Sequence, residues 1–284
     1  MISVLRCPVC SHPLQPASAD NTPIRVVSCI NGHSFDRARQ GYWNLLLPQR
    51  KRSKAPGDNE AMVQARKGFL DRHRFHPIAS AINAQILQLS QRTDHPVILD
   101  LGCGEGYYTD QLCKAFTEAE RLSSIVGLDI SKAAIRQACK RNKSITWLVA
   151  TAADIPLQAQ SVDIATLIFA RLLPEPTAQV LRKDGLFLVV WPGPDHLREL
   201  RELIYTDVRD SDLNPDIQLQ ELFEPMGEEA LRFRFHISDT AELSDLLMMT
   251  PHGQRLSLER RNALLQTEHL EIQADIRLSL YKKR

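Results

Sequence analysis

From Val97 onward, short apolar runs alternate with stretches of helical periodicity. The apolar runs predict strands at Val97–Leu101, Ser124–Asp129, Thr146–Ala150, Asp163–Phe169 and Gly185–Val190, with helices near Tyr108–Ala119, Lys132–Arg141 and Glu175–Leu181. Continuous apolar strands separated by helices imply an α/β fold with a mostly parallel sheet covered on both faces. Further on, the pattern predicts a strand at Ala230–Ile237 and a helix at Asp239–Met249, capped by Ser238 or Asp239. A helix around Leu256–Gln266 and an alternating strand, His269–Leu280, complete the C-terminal part. Upstream, Met62, Ala65, Phe69 and Leu70 share one face of a helix running from about Glu60 to Arg72. Ile78, Ile82, Ile86 and Leu89 mark a second, Ile78–Leu89.

The first fifty residues follow a different pattern. A short β-like run, Ile24–Cys29, leads to Asn31–Gly32, a pair that tolerates positive φ and favours a tight turn. Gly41–Leu47 (GYWNLLL) offers apolar surface for packing against the body. Residues 48–59 (PQRKRSKAPGDN) hold Pro, Gly and charge without periodicity, as a linker or basic arm does. These breaks divide the chain into a small domain at 1–47, a basic linker and helical connector at 48–77, and a large domain at 78–284.

Composition narrows the class. No apolar run is long enough to span a bilayer, and MISVLRCPVCSH lacks the apolar core of a signal peptide, so a cytoplasmic protein without membrane contact is expected. Three of the six cysteines, Cys7, Cys10 and Cys29, gather with His33 in a CxxC…Cx3H arrangement. Three thiolates and one imidazole make a full tetrahedral set for one structural Zn2+, and so short a domain needs the ion to hold itself together. Cys103, Cys113 and Cys139 belong to no such cluster and are expected in the core.

Charge is unevenly placed. Residues 1–54 hold eight basic side chains against Asp20 and Asp36, a net of +6, which leaves −5 for the remainder of a chain whose total is +1. A basic front end on an acidic body suits a polyanionic partner. Arg37, Arg39, Arg50, Lys51, Arg52 and Lys54 are the candidate phosphate contacts, with Phe35, Tyr42 and Trp43 as possible stacking surfaces for bases or as core.

The densest signal is the turn after the first strand of the large domain, Asp100-Leu-Gly102-Cys-Gly104-Glu105-Gly106. Gly102 and Gly104 let backbone approach a ligand, and Gly106 permits close entry of the following helix, whose free N–H groups face the ligand. The spacing is GxGxG rather than the GxGxxG of dinucleotide sites, and the next suitable acid, Asp129, lies 27 positions beyond Gly102. A carboxylate there, closing the second strand, can accept both hydroxyls of a ribose, with Ile130 along an adenine face. The layout fits a single nucleoside better than a pyrophosphate.

LDLGCGEGYYT and GLDIS resemble the first two motifs of the class I methyltransferases. That resemblance implies a Rossmann-like sheet of seven strands, the last antiparallel, and S-adenosyl-L-methionine as cofactor. Gly102, Gly104 and Gly106, with Glu105, would flank its methionine part, Asp129 would hold its ribose, and Asp100 would order the turn or reach the amino group through water. The family's adenine-side loop corresponds to Thr151-Ala-Ala153-Asp154-Ile-Pro156-Leu. Thr151 replaces the usual acid, so Asp154 or a backbone carbonyl takes its place.

Along the whole chain, CPVCSHPL, CxNGHSFDxARxGYxNLL, KRSxxPGD, MxxARxxFL, LDLGCGEGYYT and PGPxHLxEL occur in order, from Cys7 to Leu200. Together they resemble the bacterial 23S rRNA (guanine-N1)-methyltransferases of the RlmA type. The resemblance implies methylation of a guanine N1 in the helix 35 hairpin of 23S rRNA by a homodimer whose zinc domains flank an RNA cleft. The chain departs from that pattern at Phe169-Ala170-Arg171, where Arg171 stands in place of proline; Arg171 remains a candidate for the pocket wall. The N1 proton must be removed, and Asp195 or His196 is the candidate acceptor. Two other readings stay open on sequence: a small-molecule methyltransferase, because the cofactor motifs do not specify the acceptor, and a non-catalytic zinc-dependent RNA-binding or assembly module.

Overall fold

The computed structural model describes residues 2–17, 24–51, 53, 56–206, 208, 214–237, 239–250, 253, 256–267 and 269–284. Arg52, Lys54 and the alternative cap Ser238 lie outside these residues.

The chain builds a mixed sheet from β4 (Trp43–Asn44), β5 (Val97–Leu101), β6 (Ser124–Asp129), β7 (Thr146–Val149), β8 (Val162–Ile168), β9 (Leu181–Pro192), β10 (Phe223–Ile237) and β11 (Leu270–Lys283). Their order is β10-β11-β9-β8-β5-β6-β7-β4. The strands from β9 to β4 are parallel, and β11 enters antiparallel between β9 and β10. Seven of the eight strands make the expected class I methyltransferase sheet. The eighth, β4, comes from the N-terminal module and extends the edge beside β7.

Helices cover both faces. α1 (Glu60–Leu70) starts at Asn59, whose side chain accepts the Met62 N–H, and α2 (His76–Leu89) buries Ile78, Ile82 and Ile86. α3 (Tyr107–Glu118) follows the glycine turn, and α4 (Lys132–Arg141) is capped by Ser131. α5 (Pro174–Val180) precedes β9; α6 (Arg198–Ile204) and α7 (Pro215–Leu219) follow it, and α8 (Thr240–Met249) and α9 (Leu258–Leu264) lie between β10 and β11. The 230–237 strand foreseen from apolar spacing begins seven residues earlier, at Phe223. Glu224 to Glu229 are exposed along a sheet edge, so no apolar alternation marks them. The seven-residue α6 spans about two turns and buries Leu200, Arg201 and Ile204.

The N-terminal module holds a three-stranded sheet, β1 (Gln15–Pro16), β2 (Val26–Ser28) and β3 (Ser34–Asp36). It is not a separate bead. Leu5, Cys7, Leu14, Val27, Cys29, Trp43 and Leu45 share one buried cluster with Leu99, Val126, Leu128 and Leu148 of the large sheet. Trp43 is a core residue of this junction, and Phe35 packs against the same cluster. Tyr42 is buried in the core on the other side of the sheet, with Leu46, Ile135 and Trp147, so neither Tyr42 nor Trp43 is an exposed stacking surface.

Candidate metal centre and cofactor site

Two tight turns bring the four metal-ligand candidates together. In the first, the Ser11 N–H donates to the Cys7 carbonyl (2.9 Å), and the Cys7 N–H donates to the His12 carbonyl (2.8 Å). The second has the Gly32 N–H donating to the Cys29 carbonyl (2.9 Å), with Gly32 at φ +78°, the conformation its Asn-Gly sequence favours. The ligand atoms of Cys7, Cys10, Cys29 and His33 all lie within 4.8 Å of one another. Sulfur and nitrogen ligands at roughly 2.0–2.3 Å from a tetrahedral ion would be separated by distances of this size. A backbone hydrogen bond from His12 draws the Cys10 thiol down to about 5, toward the thiolate a metal needs. The set fits zinc, and with four protein ligands it leaves no position for catalysis.

The second centre forms where β5 ends. Gly102, Gly104 and Gly106 all have positive φ (+71°, +56° and +85°). A Cβ on Gly106 would lie 2.8 Å from Trp147 and 2.9 Å from Ala138, so that glycine admits α3 against its neighbours. The Asp129 carboxylate at the end of β6 accepts the Gly104 N–H (2.9 Å) and the Ser131 N–H (2.7 Å), locking the two loops in register. Burial raises its pKa, the two backbone donors working against that rise. Asp100 is buried beneath the turn and accepts the hydroxyls of Thr109 (2.5 Å) and Thr166 (2.9 Å); desolvation pushes it up to about 6. Glu105, 1% exposed, is held by Arg141, which also reaches Asp71 at 2.7 Å.

This geometry passes a simple test for a nucleoside cofactor. Glu105 Oε1 and the Tyr108 hydroxyl are buried without a hydrogen-bond partner among the described residues, as polar atoms awaiting a ligand are. Asp129 stands within the turn with lone pairs left over for a diol. Ile130, expected along the adenine, packs against Gly57, whose added Cβ would come within 2.9 Å of it, and the Ser131 hydroxyl donates to the Asp58 carbonyl (2.6 Å), so the linker lies against this loop. Ala153 lies in the loop after β7, its N–H donating to the Thr151 hydroxyl (3.2 Å).

Asp154, in that same loop, is engaged elsewhere. Its two carboxylate oxygens pair with Arg6 and Arg50. The Leu5 and Leu157 backbones form a β-bridge beside it, and the Arg6 N–H donates to the Pro156 carbonyl (3.0 Å). Arg50, expected at phosphate, thus begins on a carboxylate. Arg39 and Lys51 are exposed, and Arg37 donates to the Gly41 carbonyl (2.9 Å).

On the other side of the glycine turn, β8 delivers Phe169 in the left-handed region, φ +52°, with 40% of its surface exposed. Its ring lies nearly parallel to His196, centroids 6.0 Å apart and planes 11° apart, and Phe75 flanks the imidazole at 6.1 Å. Arg171 is exposed two residues beyond. The His196 loop is fixed from below by Asp275, which is fully buried, accepts the Asp195 N–H (3.1 Å) and pairs with Arg232 and Arg277. Asp195 itself pairs with Arg198 at 3.1 Å. Phe169 and Tyr108 lie within the motifs that carry the family resemblance, but nothing local in sequence brings them together. Only the strand order brings the end of β8 and the start of α3 to the end of β5, and only packing brings α1 over the turn.

Comparison with known proteins agrees with this architecture. Residues 5–54 match the family model described as RlmA, N-terminal, and residues 98–184 match that of a methyltransferase domain. The chain is 34% identical over 275 residues to a 23S rRNA (guanine(748)-N(1))-methyltransferase of Streptomyces fradiae, covering 95% of this chain and 93% of that protein. A putative 23S rRNA (guanine-N(1)-)-methyltransferase of Micromonospora griseorubida is 32% identical over 299 residues, covering 98% and 97%. A cysteine–histidine knuckle fused to a class I methyltransferase sheet, shared with these relatives nearly end to end, places the chain in the 23S rRNA (guanine-N1)-methyltransferase family, S-adenosylmethionine-dependent enzymes with an N-terminal zinc ribbon.

Proposed function

We propose that the protein methylates N1 of a guanine in the helix 35 hairpin of 23S rRNA, acting in the cytoplasm as a homodimer. The observation that carries the RNA reading is the seating of the basic module on the cofactor sheet itself. β4 continues the sheet beside β7, and Arg50 reaches the loop that follows β7. Phosphates gathered by Arg39, Arg50 and Lys51 would therefore lie next to the cofactor pocket. A basic module so placed favours a polyanionic acceptor over a small metabolite.

Gly104, Glu105, Asp129, Ile130 and Ala153 would hold S-adenosylmethionine, which supplies an electrophilic methyl group when bound. The chain's task is then positioning. Phe169 offers an exposed aromatic face at the end of β8, where a guanine drawn out of its hairpin can stack. N1 carries a proton near neutrality, and that proton must leave as N1 becomes methylated. His196, stacked beneath Phe169, and Asp195 next to it are the groups placed to receive it, directly or through water. Arg171, exposed just beyond, would meet the phosphate or base edge.

Incubating the purified protein with labelled cofactor and unmodified 23S rRNA, then locating the label by mass spectrometry, tests the proposal. Label on guanine N1 within the hairpin is expected; methylation confined to another base or to a small metabolite would overturn it.

A further inference from the structure

The glycine turn is crowded with acid. Asp100, Glu105 and Asp129 all stand around it, and each is buried or nearly so. The methionine end of S-adenosylmethionine carries an ammonium, which these acids suit, and a carboxylate, which they repel unless a cation faces it. Arg141 is not that cation, because it is already divided between Glu105 and Asp71.

Arg66, on α1, is differently placed. A Cβ built on Gly104 would lie 3.6 Å from Arg66 Nη1 and 3.9 Å from its Cδ, so the guanidinium hangs over the glycine that the cofactor must approach. Its partners are Asp58 in the linker loop and, at 3.5 Å, the Met249 carbonyl. Asp58 is about one-quarter exposed and sits at the rim, a partner that water can replace. Tyr108, whose charge interacts with that of Arg66, has its hydroxyl buried without a hydrogen-bond partner among the described residues, so an unused polar group lies near this replaceable ion pair.

We infer that Arg66 receives the methionine carboxylate of the cofactor, exchanging its rim partner Asp58 for the ligand. A guanidinium matches a carboxylate with two parallel hydrogen bonds, and in a partly desolvated pocket that pairing is strong. The grip on the cofactor would then come from the connector between the zinc module and the sheet, and not from the sheet alone.

The test compares two ligands by calorimetric titration of the full-length zinc-loaded protein. S-Adenosylhomocysteine carries the amino-acid carboxylate; 5′-methylthioadenosine has the same nucleoside thioether and lacks it. Arg66→Gln should lower affinity for S-adenosylhomocysteine about 30-fold and leave 5′-methylthioadenosine within about 3-fold, the size expected when one member of a buried charge pair is truncated. Arg66→Lys, which keeps the charge without the fork, should fall between. Unchanged S-adenosylhomocysteine affinity, or an equal loss for both ligands in both variants, would overturn the assignment. Wild-type protein that binds neither ligand would instead remove the cofactor site itself.

Discussion

Arg6 and Asp154, separated by 148 positions, form an ion pair that ties the N-terminal module to the loop following β7. Arg50 takes the second oxygen of the same carboxylate. One acidic side chain therefore joins three segments: the first turn of the zinc module, the basic arm and the loop after β7. The pair is mostly shielded, with Arg6 12% and Asp154 21% exposed, whereas Arg50 is 40% exposed. Substituting Asp154 by Asn should lower stability by about 1–2 kcal/mol, more than a surface pair contributes and less than a fully buried one. Hydrogen exchange would locate the effect: faster exchange at residues 3–6 and 155–158, with β5 and β8 unchanged, is expected. Loss spread evenly over the sheet would contradict this placement.

The metal prediction follows from the shared core. Cys7 and Cys29 lie in the buried cluster that includes Leu128 and Leu148, so removal of zinc should disturb more than the knuckle. Chelation, or Cys29→Ser, should abolish the one equivalent of zinc measured by elemental analysis. It should also open the module to proteolysis between the knuckle and α1, while the circular dichroism of the large sheet persists. Full retention of protease resistance without metal would show that the hydrophobic junction suffices alone.

Asp100 makes stability depend on pH in a direction opposite to the usual acid. Its folded-state pKa, about 6, lies above the ordinary carboxylate value because ionisation is penalised by burial. Below about pH 4 it is protonated in both states and costs nothing. As pH rises through the window from about 4 to 6, the unfolded chain loses its proton first, so stability falls, and the loss is complete above the folded pKa. Two pH units correspond to about 3 kcal/mol. Asp100→Asn, whose Oδ1 can accept one threonine hydroxyl while its Nδ2 donates to the other, should remove this penalty: its stability relative to wild type should rise between pH 4 and pH 8. Denaturant titrations at the two pH values check the sign, and a constant difference would refute it.

Phe169 combines an exposed ring with backbone in the left-handed region, a conformation costly for a bulky side chain. Such strain at the end of a central strand is maintained by its surroundings, here the parallel His196 ring and the close approach of Ala170 to Gly102. If the ring stacks on the acceptor base as proposed, Phe169→Ala should slow single-turnover RNA methylation about 100-fold and change S-adenosylhomocysteine affinity by less than about 3-fold. If affinity for the cofactor fell in step with the rate, the ring would belong to the cofactor pocket instead.

The parts legible in sequence are those fixed by near neighbours. CxxC, the Asn31–Gly32 turn and the GxGxG run each encode their geometry within a few residues, and β5, β6 and α4 lie where periodicity placed them. What remained hidden depends on distant pairing. Trp43–Asn44 has no strand signal of its own and becomes β4 only because β7 offers an edge. Asp154 read as a ligand for adenine because nothing nearby in sequence announces Arg6 or Arg50. Arg66 lies 38 positions before Gly104 and comes over it only because α1 packs across the turn.

The basic arm offers a prediction that separates electrostatic from structural roles. Arg50 and Lys51 are exposed, but Arg50 already holds Asp154, so removing its charge has two effects. Lys51 has only the first. If both meet phosphate, Lys51→Gln should lower affinity for the hairpin and flatten the slope of log affinity against log salt by a little under one unit. Arg50→Gln should flatten the slope by the same amount and in addition destabilise the loop at Asp154, seen as a lower melting temperature that Lys51→Gln does not share. An RNA-independent partner at Asp154 would keep Arg50 from the phosphates, and the Arg50 variant would then lose stability with its salt slope intact.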